Sequence, residues 1–417
     1  MCSRRCVLRA RPVSVLHVTE GYEGGVVTYM RHVLPRQRAA GFDVSLVCSP
    51  RDLVIQGDSI RHLVRRGIRV HVIPMCRAIG PITDLLALKK LVRIMRREKF
   101  DLVHTHCFKG GVLGRLAAVV AGCGCVIHTP HCLPSTRCTS RIVRPALLAI
   151  ERFLARWTDH YVFVSQSQSD IAHHEKIVVG GRSSVVGNGV SSTVPFHPRD
   201  FRGLRRELNL VNEDHVVGMC ARLCGYKGID QLILAAPDIQ RAVGRTRFII
   251  AGEGPDRPRL ERMIRHLNLR DIVHLIGHRA DVSSLIRLMD VCVVSSRAEG
   301  MPYVILESFN AGTPVVASDV PGNADLVRHG HTGLLYPYNR IDQLAHAVVH
   351  CLRDCALCRQ MTETARLQIE HHHSLDRQIG NLLAVYEKVI QKGTQAAERN
   401  KRPNSSHVAM LHEGRSS

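Results

Sequence analysis

Two carboxylates, Glu299 and Glu307, stand eight positions apart in the segment RAEGMPYVILESFN, with Gly300, Met301, Pro302 and Tyr303 forming a turn between them. The apolar run VCVVSS just before them predicts a buried strand. Pro302 suits the first turn of a helix, because the N-H it lacks would have no intrahelical partner there. Gly312 and Pro314 then mark the end of that helix. Glu299 is expected on the loop leaving the strand, and Glu307 between one and two turns into the helix. Carboxylates accept hydroxyl hydrogen bonds, and the free N-H groups of a helix start attract anions, so the pair suits a ligand with both sugar hydroxyls and a diphosphate. Taken alone, the pair reads equally well as one charge favouring a helix dipole and one solvated Glu.

Three other stretches carry related chemistry. VVGMCARLCGYKGID is a short strand followed by Arg222, a Gly-bearing turn and Lys227. A guanidinium forks onto two phosphate oxygens while an ammonium acts as a point charge, so the two suit a diphosphate, although an isolated Arg-x4-Lys is more simply a solvated loop. FIIAGEGPD runs a strand into Gly252, Glu253 and Gly254, whose small residues let another group approach the backbone or merely form a tight turn. PVSVLHVTEGYEGG places Gly24 and Gly25 after a strand and before a helix. His104, His106, His128 and His131 fall near the ends of two further apolar strands. The spacing of His128 and His131 would permit metal ligation, but no Cys or carboxylate cluster completes the set, so no metal is expected.

The order of these elements is more specific than any one of them. Strand-GEGP, HLIGHRADVSSLIRLMD, strand-SSRAEGMPYVILE, TPVVASDVPGNADLV and GHTGLLYP follow one another and resemble the donor-binding half of retaining glycosyltransferases of family four, closely over about residues 213 to 355. The E-x7-E element matches as Glu299 to Glu307, and the basic pair as Arg222 and Lys227. The amino-terminal half matches more loosely, through Gly24 and Gly25, HTPH and VVGNGVS.

The resemblance implies an α/β protein of GT-B fold, with two Rossmann-like parallel-sheet domains facing an interdomain cleft. It implies transfer of a sugar from a nucleoside-diphosphate sugar, UDP-linked on family frequency, to an acceptor hydroxyl with retention. Glu299, His131, Arg222 and Lys227 would then act at the reaction centre, His131 lying beside the donor sugar and its phosphate. Gly24, Gly25, Gly252, Glu253, Gly254 and Arg279 would line the donor. So would Gly300, Met301, Pro302, Tyr303 and Val304, while Glu307 would hold the ribose. No cofactor or metal is implied beyond the nucleotide sugar as co-substrate, and the acceptor would be lipid-linked or saccharide, in surface polysaccharide or glycolipid assembly. Met301 stands where relatives often carry an aromatic, and LCGY where Pro-Glu is frequent, which leaves donor preference open. A hydrolase using both carboxylates fits less well, because the cations would lack a purpose. The alternative is a basic membrane- or nucleic-acid-binding protein on a degenerate, inactive GT-B scaffold.

Stepwise alternation of apolar runs, at 13–18, 44–47, 70–73, 101–103, 161–164, 184–186, 216–219, 247–251, 291–294 and 315–317, with amphipathic stretches predicts parallel sheets. Ligands of such sheets bind at the carboxyl ends of strands, where every motif above falls. A chain of 417 residues accommodates two cores. The expected division is an acceptor-side domain at 1–195, a donor domain at 196–375, a crossover helix at 376–391 and a disordered tail at 392–417, with the polar, Pro-bearing stretch 191–200 as linker.

A net charge of +21 asks for an acidic partner surface. Nucleic acid is disfavoured by 4% aromatics and the lack of a recognised binding module. An anionic membrane surface is better served by ITDLLALKKLVRIMRREKF, with Leu85, Leu88, Leu91, Val92 and Met95 beside Lys89, Lys90, Arg93, Arg96 and Arg97, and by RCTSRIVRPALLAIERFLARW. The apolar faces of both would equally well bury in their own domain. No apolar stretch reaches the roughly 18 residues of a membrane span, and the basic start, broken by Arg9, Arg11 and Pro12, lacks a secretory core, so a cytoplasmic protein is expected, peripheral on the membrane at most. Fifteen Cys, many in apolar runs, fit buried thiols, and Cys351, Cys355 and Cys358 fit one face of a single helix.

Overall fold

The structure is a computed structural model that describes residues 11–21, 24–75, 80–191 and 199–401. Seven strands build the first sheet: β1 (Ser14–Val18), β2 (Asp43–Cys48), β3 (Arg69–Val72), β4 (Leu102–His106), β5 (Cys125–Thr129), β6 (His160–Phe163) and β7 (Ser183–Val185). They lie in the order β3-β2-β1-β4-β5-β6-β7 with every pairing parallel. Strands β1, β4 and β5 are buried along their whole length, as parallel strands covered by helices on both faces must be. The covering helices are α1 (Gly25–Ala39), α2 (Pro50–Arg65), α3 (Pro81–Glu98), α4 (Phe108–Ala121), the short α5 (Pro134–Arg137), α6 (Val143–Leu154) and α7 (Gln166–His174).

Six strands repeat the scheme: β8 (His215–Cys220), β9 (Thr246–Ala251), β10 (Val273–Gly277), β11 (Val291–Val294), β12 (Val315–Ser318) and β13 (Leu334–Tyr336), ordered β10-β9-β8-β11-β12-β13. Around them lie α8 (Arg199–Glu207), α9 (Ile229–Val243), α10 (Arg257–His266), α11 (Val282–Leu288), α12 (Tyr303–Ala311), α13 (Ile341–Arg353) and α14 (Cys355–His372). In both sheets the strand order reverses direction at one place, between β1 and β4 and between β8 and β11. Those reversals open crevices at the carboxyl ends of the strands, the usual ligand position in such sheets.

The last helix, α15 (Leu375–Lys401), returns to the first sheet, where Gln37 Nε2 donates to the Tyr386 hydroxyl at 3.0 Å and Cys125 Sγ donates to Val389 O. One apolar cluster runs across the seam, joining Val27, Met30, Val162 and Tyr386 to Val294, Tyr303, Ile305 and Phe309.

Several expectations need correction. The helix continues through Lys401, so residues 392–401 are not a disordered tail; 402–417, like the linker residues 192–198, lie outside the described residues. Pro302 caps α12 in an extended conformation rather than entering its first turn. Cys351 belongs to α13 whereas Cys355 and Cys358 belong to α14, because Asp354 caps a new helix by accepting from Leu357 N at 2.9 Å.

Candidate functional site

Glu299 sits on the loop after β11, and Lys227 in a single 3-10 turn after β8, so the parallel pairing of those two strands brings them together. Lys227 Nζ meets Glu299 Oε1 at 2.5 Å, and Ser296 Oγ donates to the same oxygen at 2.6 Å. The side chains are 19% and 7% exposed, which makes this a largely buried ion pair. Burial alone would lower the Lys227 pKa, but the adjoining carboxylate outweighs it and leaves the ammonium above its ordinary value. Arg222 lies half-buried on the same loop, five residues before Lys227.

The Gly-Glu-Gly segment after β9 packs against the loop that holds Arg222. A Cβ on Gly252, whose φ is +143°, would stand 1.9 Å from Ala221 O, and one on Gly254 would stand 2.2 Å from Leu223 O. Leu223 N donates to Glu253 O at 3.0 Å. The glycines thus let the loop holding Arg222 lie flat on this one, and the group approaching their backbone is the chain itself. The Glu253 carboxylate turns to Arg257 at 2.5 Å. Arg279 is likewise engaged, by Asp281 at 2.7 Å and by Glu207, so its guanidinium is held within its own domain.

Glu307 lies on α12, half-buried, with burial raising its carboxyl pKa to about 7. It is close enough to raise the thiol pKa values of Cys220, at the end of β8, and Cys292 in β11. Glu307 therefore faces the carboxyl end of β8, the strand that leads into the Arg222 loop. Val304 packs between two apolar clusters, and Met301 is buried with its Sδ accepting from Asn188 N at 3.1 Å.

The first sheet contributes from the other side of the seam. His131 follows β5 in a left-handed conformation, φ 58°, strain that a bulky residue keeps only where its surroundings fix it. Burial and the nearby Arg137 lower its pKa to about 3, so the ring is neutral. A Cβ on Gly300 would stand 1.6 Å from His131 O, which is why glycine is required there. Gln168 ties the two loops together, accepting from Leu133 N at 2.8 Å and donating to Glu299 O at 3.1 Å. Gly24 caps α1 with φ 56°, and a Cβ on Gly25 would touch the Tyr303 ring at 3.3 Å. The structure therefore places Gly25, His131, Glu299, Gly300, Lys227 and Tyr303 around one seam, and Glu253 and Arg279 apart in ion pairs of their own.

Sequence reasoning missed Arg137, which it grouped with a basic surface segment. Its guanidinium lies over the Tyr226 ring at 4.9 Å, and Arg297 Nη2 donates to its carbonyl at 2.6 Å. Arg137 Nε is buried without a hydrogen-bond partner, as are Tyr29 Oη, His32 Nδ1 and Tyr303 Oη. Buried polar atoms are normally satisfied, so a run of orphans along one seam marks where a polar ligand would bond. The only hint in sequence was the proximity of Arg137 to HTPH.

His17, His104 and His106 offer ring nitrogens within 4.8 Å of one another. Those nitrogens are hydrogen-bonded: His17 Nδ1 to His106 Nε2 at 2.9 Å, His104 Nε2 to Thr129 Oγ1 at 2.8 Å. A cation there would have to break these bonds. His128 is buried in β5 against Gly111, bonded to Thr105.

Known proteins match the chain across both sheets. Residues 200–368 match the family described as glycosyl transferases group 1, and residues 23–194 match Glycosyltransferase Family 4. The chain is 29% identical to the UDP-Gal:alpha-D-GlcNAc-diphosphoundecaprenol alpha-1,3-galactosyltransferase of Escherichia coli over 367 residues, 86% of this chain and 92% of that protein. It is 29% identical to the alpha-D-kanosaminyltransferase of Streptomyces kanamyceticus over 71% of this chain and 79% of that one. Among solved structures, Anabaena HepE in complex with UDP and glucose superposes with a TM-score of 0.78 at 22% identity, covering 90% of this chain and all of that one. Sucrose-phosphate synthase from Thermosynechococcus elongatus gives 0.75 at 20% identity, covering 92% of this chain and all of that one. These likenesses establish the GT-B fold.

Proposed function

We propose, from the premise that this chain belongs to the group 1 glycosyltransferases of family 4, that it moves a sugar from a UDP-sugar to a hydroxyl of a lipid-linked saccharide with retention at the anomeric carbon. The observation that carries this reading is the meeting of Lys227 and Glu299 from one sheet with His131 from the other at a single seam. Lys227, with Arg222 on the same loop, supplies positive charge where the departing diphosphate gathers negative charge, and fixed electrostatic stabilisation of that kind is often the largest catalytic contribution. Glu299 holds the donor sugar and Glu307 the ribose. The leaving phosphate takes the acceptor proton, so no dedicated protein base is needed. The UDP donor and lipid-linked acceptor are supported by the relatives: HepE is a UDP complex, and the Escherichia coli enzyme's name gives both UDP-Gal and a diphosphoundecaprenol acceptor.

An anionic membrane surface fits the first domain and would place the enzyme on the cytosolic face. Ile142, Val143, Ile150, Phe153 and Trp157 are exposed on and beside α6 with Arg141 and Arg156 among them, and Ile82, Leu85 and Leu86 are exposed on α3. Leu91 and Met95 on α3 are buried in the domain and unavailable to lipid, and Leu88 and Val92 are partly buried against the same core. Among the described residues no helix is long and apolar enough to cross a membrane.

The test is a panel of nucleotide sugars with a short lipid-linked disaccharide acceptor, the product anomer being read by NMR. A retained anomeric configuration from a UDP-sugar is expected; inversion, or transfer from none of the donors, refutes the reading. Flotation with anionic but not neutral vesicles is expected for the membrane surface, and loss of flotation in Ile142→Asp/Phe153→Asp checks the face.

A further inference from the structure

A continuous hydrogen-bonded chain runs from the cleft into the crossover helix. His131 Nε2 meets His106 Nδ1 at 3.1 Å, and His106 Nε2 meets His17 Nδ1 at 2.9 Å. His17 Nε2 meets Gln37 Oε1 at 2.8 Å, and Gln37 Nε2 donates to the Tyr386 hydroxyl at 3.0 Å. Tyr386 Oη meets His104 Nδ1 at 2.5 Å, and His104 Nε2 meets Thr129 Oγ1 at 2.8 Å. His17, His104, His106, Gln37 and Tyr386 have no solvent exposure. The imidazoles of His17, His106 and His131 are stacked in turn, with centroids 5.2 Å apart at each step.

The proton positions along this chain are not independent. Burial lowers the pKa of His17 to about 4 and holds His104 and His106 well below their ordinary value, so each ring is neutral near pH 7 and has one donor and one acceptor nitrogen. An amide oxygen only accepts, so with Gln37 Oε1 facing it, His17 must carry its proton on Nε2 and accept at Nδ1. His106 must then donate from Nε2 and accept at Nδ1, and His131 must donate from Nε2. On the other side, Gln37 Nε2-H donates to Tyr386, whose hydroxyl donates to His104 Nδ1, and His104 donates from Nε2 to Thr129. Turning the Gln37 amide over would reverse every bond at once.

We propose that these side chains act as one polarised relay in which Gln37 and Tyr386 are positioning residues for His131, fixing its proton on Nε2 and leaving Nδ1 as a bare acceptor toward the cleft ligand. A lone pair on Nδ1 suits a sugar or acceptor hydroxyl, which donates to it, and repels a phosphate oxygen; the reverse polarity would favour phosphate. The specificity of the His131 contact is therefore set from Tyr386 on α15, the helix that ties the end of the second domain to the first sheet. Its value for catalysis rests on the transfer reading above, whereas the tautomers themselves do not.

The experiment is long-range 1H-15N correlation on 15N-histidine protein, with assignment by single His→Asn variants. In the wild type, His17, His106 and His131 should all appear as Nε2-H tautomers. Tyr386→Phe, which keeps the ring in the core, and Gln37→Leu should each convert His131 to a mixture of tautomers. An even mixture halves the competent fraction, so kcat should fall about twofold or more with little change in donor KM. A wild-type His131 protonated on Nδ1, or an unchanged single tautomer in both variants, overturns the relay. Correct tautomers with no sugar transfer from any donor would overturn the transfer reading while leaving the relay in place. Thermal melts of both variants separate either result from misfolding.

Discussion

Breaking the buried ion pair is the sharpest test of the proposed site, and it should cost stability as well as activity. A loop location for both residues would predict that Lys227→Ala leaves the fold untouched. Instead, Glu299 is 7% exposed, and losing Lys227 removes the cation bonded to its carboxylate, leaving the Ser296 Oγ hydrogen bond and the nearby charge of Arg137. Removing one member of a fully buried pair typically costs about 3–5 kcal/mol, because a buried charge is left uncompensated. Lys227 is 19% exposed, so water relieves part of this and about 2–4 kcal/mol is expected from either Lys227→Ala or Glu299→Ala. For a domain of roughly 150–250 residues, at about 2–4 °C per kcal/mol, this lowers Tm by about 4–16 °C. The double variant removes both members of the pair and should lose much less than the sum, with a coupling of at least about 1.5 kcal/mol. Urea unfolding of the four proteins measures the cycle, and initial transfer rates on the same samples should drop at least about 100-fold in all three variants. Additive stability losses, within about 0.5 kcal/mol, would show that the two charges do not depend on each other. Transfer surviving in Lys227→Ala would remove it from diphosphate stabilisation.

Gly300→Ala should cut transfer at least about tenfold, since a Cβ 1.6 Å from His131 O must push the two loops apart; unchanged kcat would show that their contact is dispensable. Glu307, raised from 4.5 to about 7 by burial, binds its proton more tightly folded than unfolded. Its contribution to stability is therefore greatest below about pH 4.5, declines as pH rises to about 7, and is flat above, a change of up to about 3 kcal/mol that Glu307→Gln should abolish when urea midpoints are compared across that window. Arg137→Gln should weaken UDP binding, read by calorimetry, several-fold more than Arg141→Gln on the exposed face does; equal effects would exclude Arg137 from the cleft chemistry.

What was legible in the sequence were the central strands and the residue types. Buried parallel strands need continuous apolar runs, and β1, β2, β8, β9 and β11 announce themselves that way. Strands β5, β10 and β13 were not among the runs: β10 is a half-exposed edge and β13 is a three-residue edge, so neither needs such a run, whereas β5 is internal and fully buried but its apolar stretch is cut short by His128 and Thr129. The packing of GEGP was not legible, since nothing local says that the backbone approaching Gly252 is Ala221 O from the neighbouring loop. Arg137 looked like one more cation in a basic segment until α5 turned it toward Tyr226. The histidine relay was beyond local reading altogether, because Gln37 and Tyr386 are 349 residues apart and meet only through the return of α15.

The closed seam also bears on how a donor would enter and be held. Glu299 and Lys227 neutralise each other, while the carbonyl of Glu299 is tied through Gln168 to the His131 loop. If the proposed roles hold, a diphosphate would compete with Glu299 for Lys227, and a sugar hydroxyl with Lys227 for Glu299. Binding both parts of one donor would then exchange an internal ion pair for a charge-paired Lys227 and a hydrogen-bonded Glu299, whereas free phosphate or free sugar would engage one and leave the other without a partner from the ligand. Discrimination against fragments follows from that arithmetic: UDP and free sugar should each bind far more weakly than their covalent combination predicts by summed affinities, and Lys227→Met/Glu299→Gln, which carries neither charge, should lose that advantage. Calorimetric titration of both proteins with UDP, sugar and UDP-sugar measures the difference directly, and equal advantage in both would show that the ion pair plays no part in selecting the intact donor.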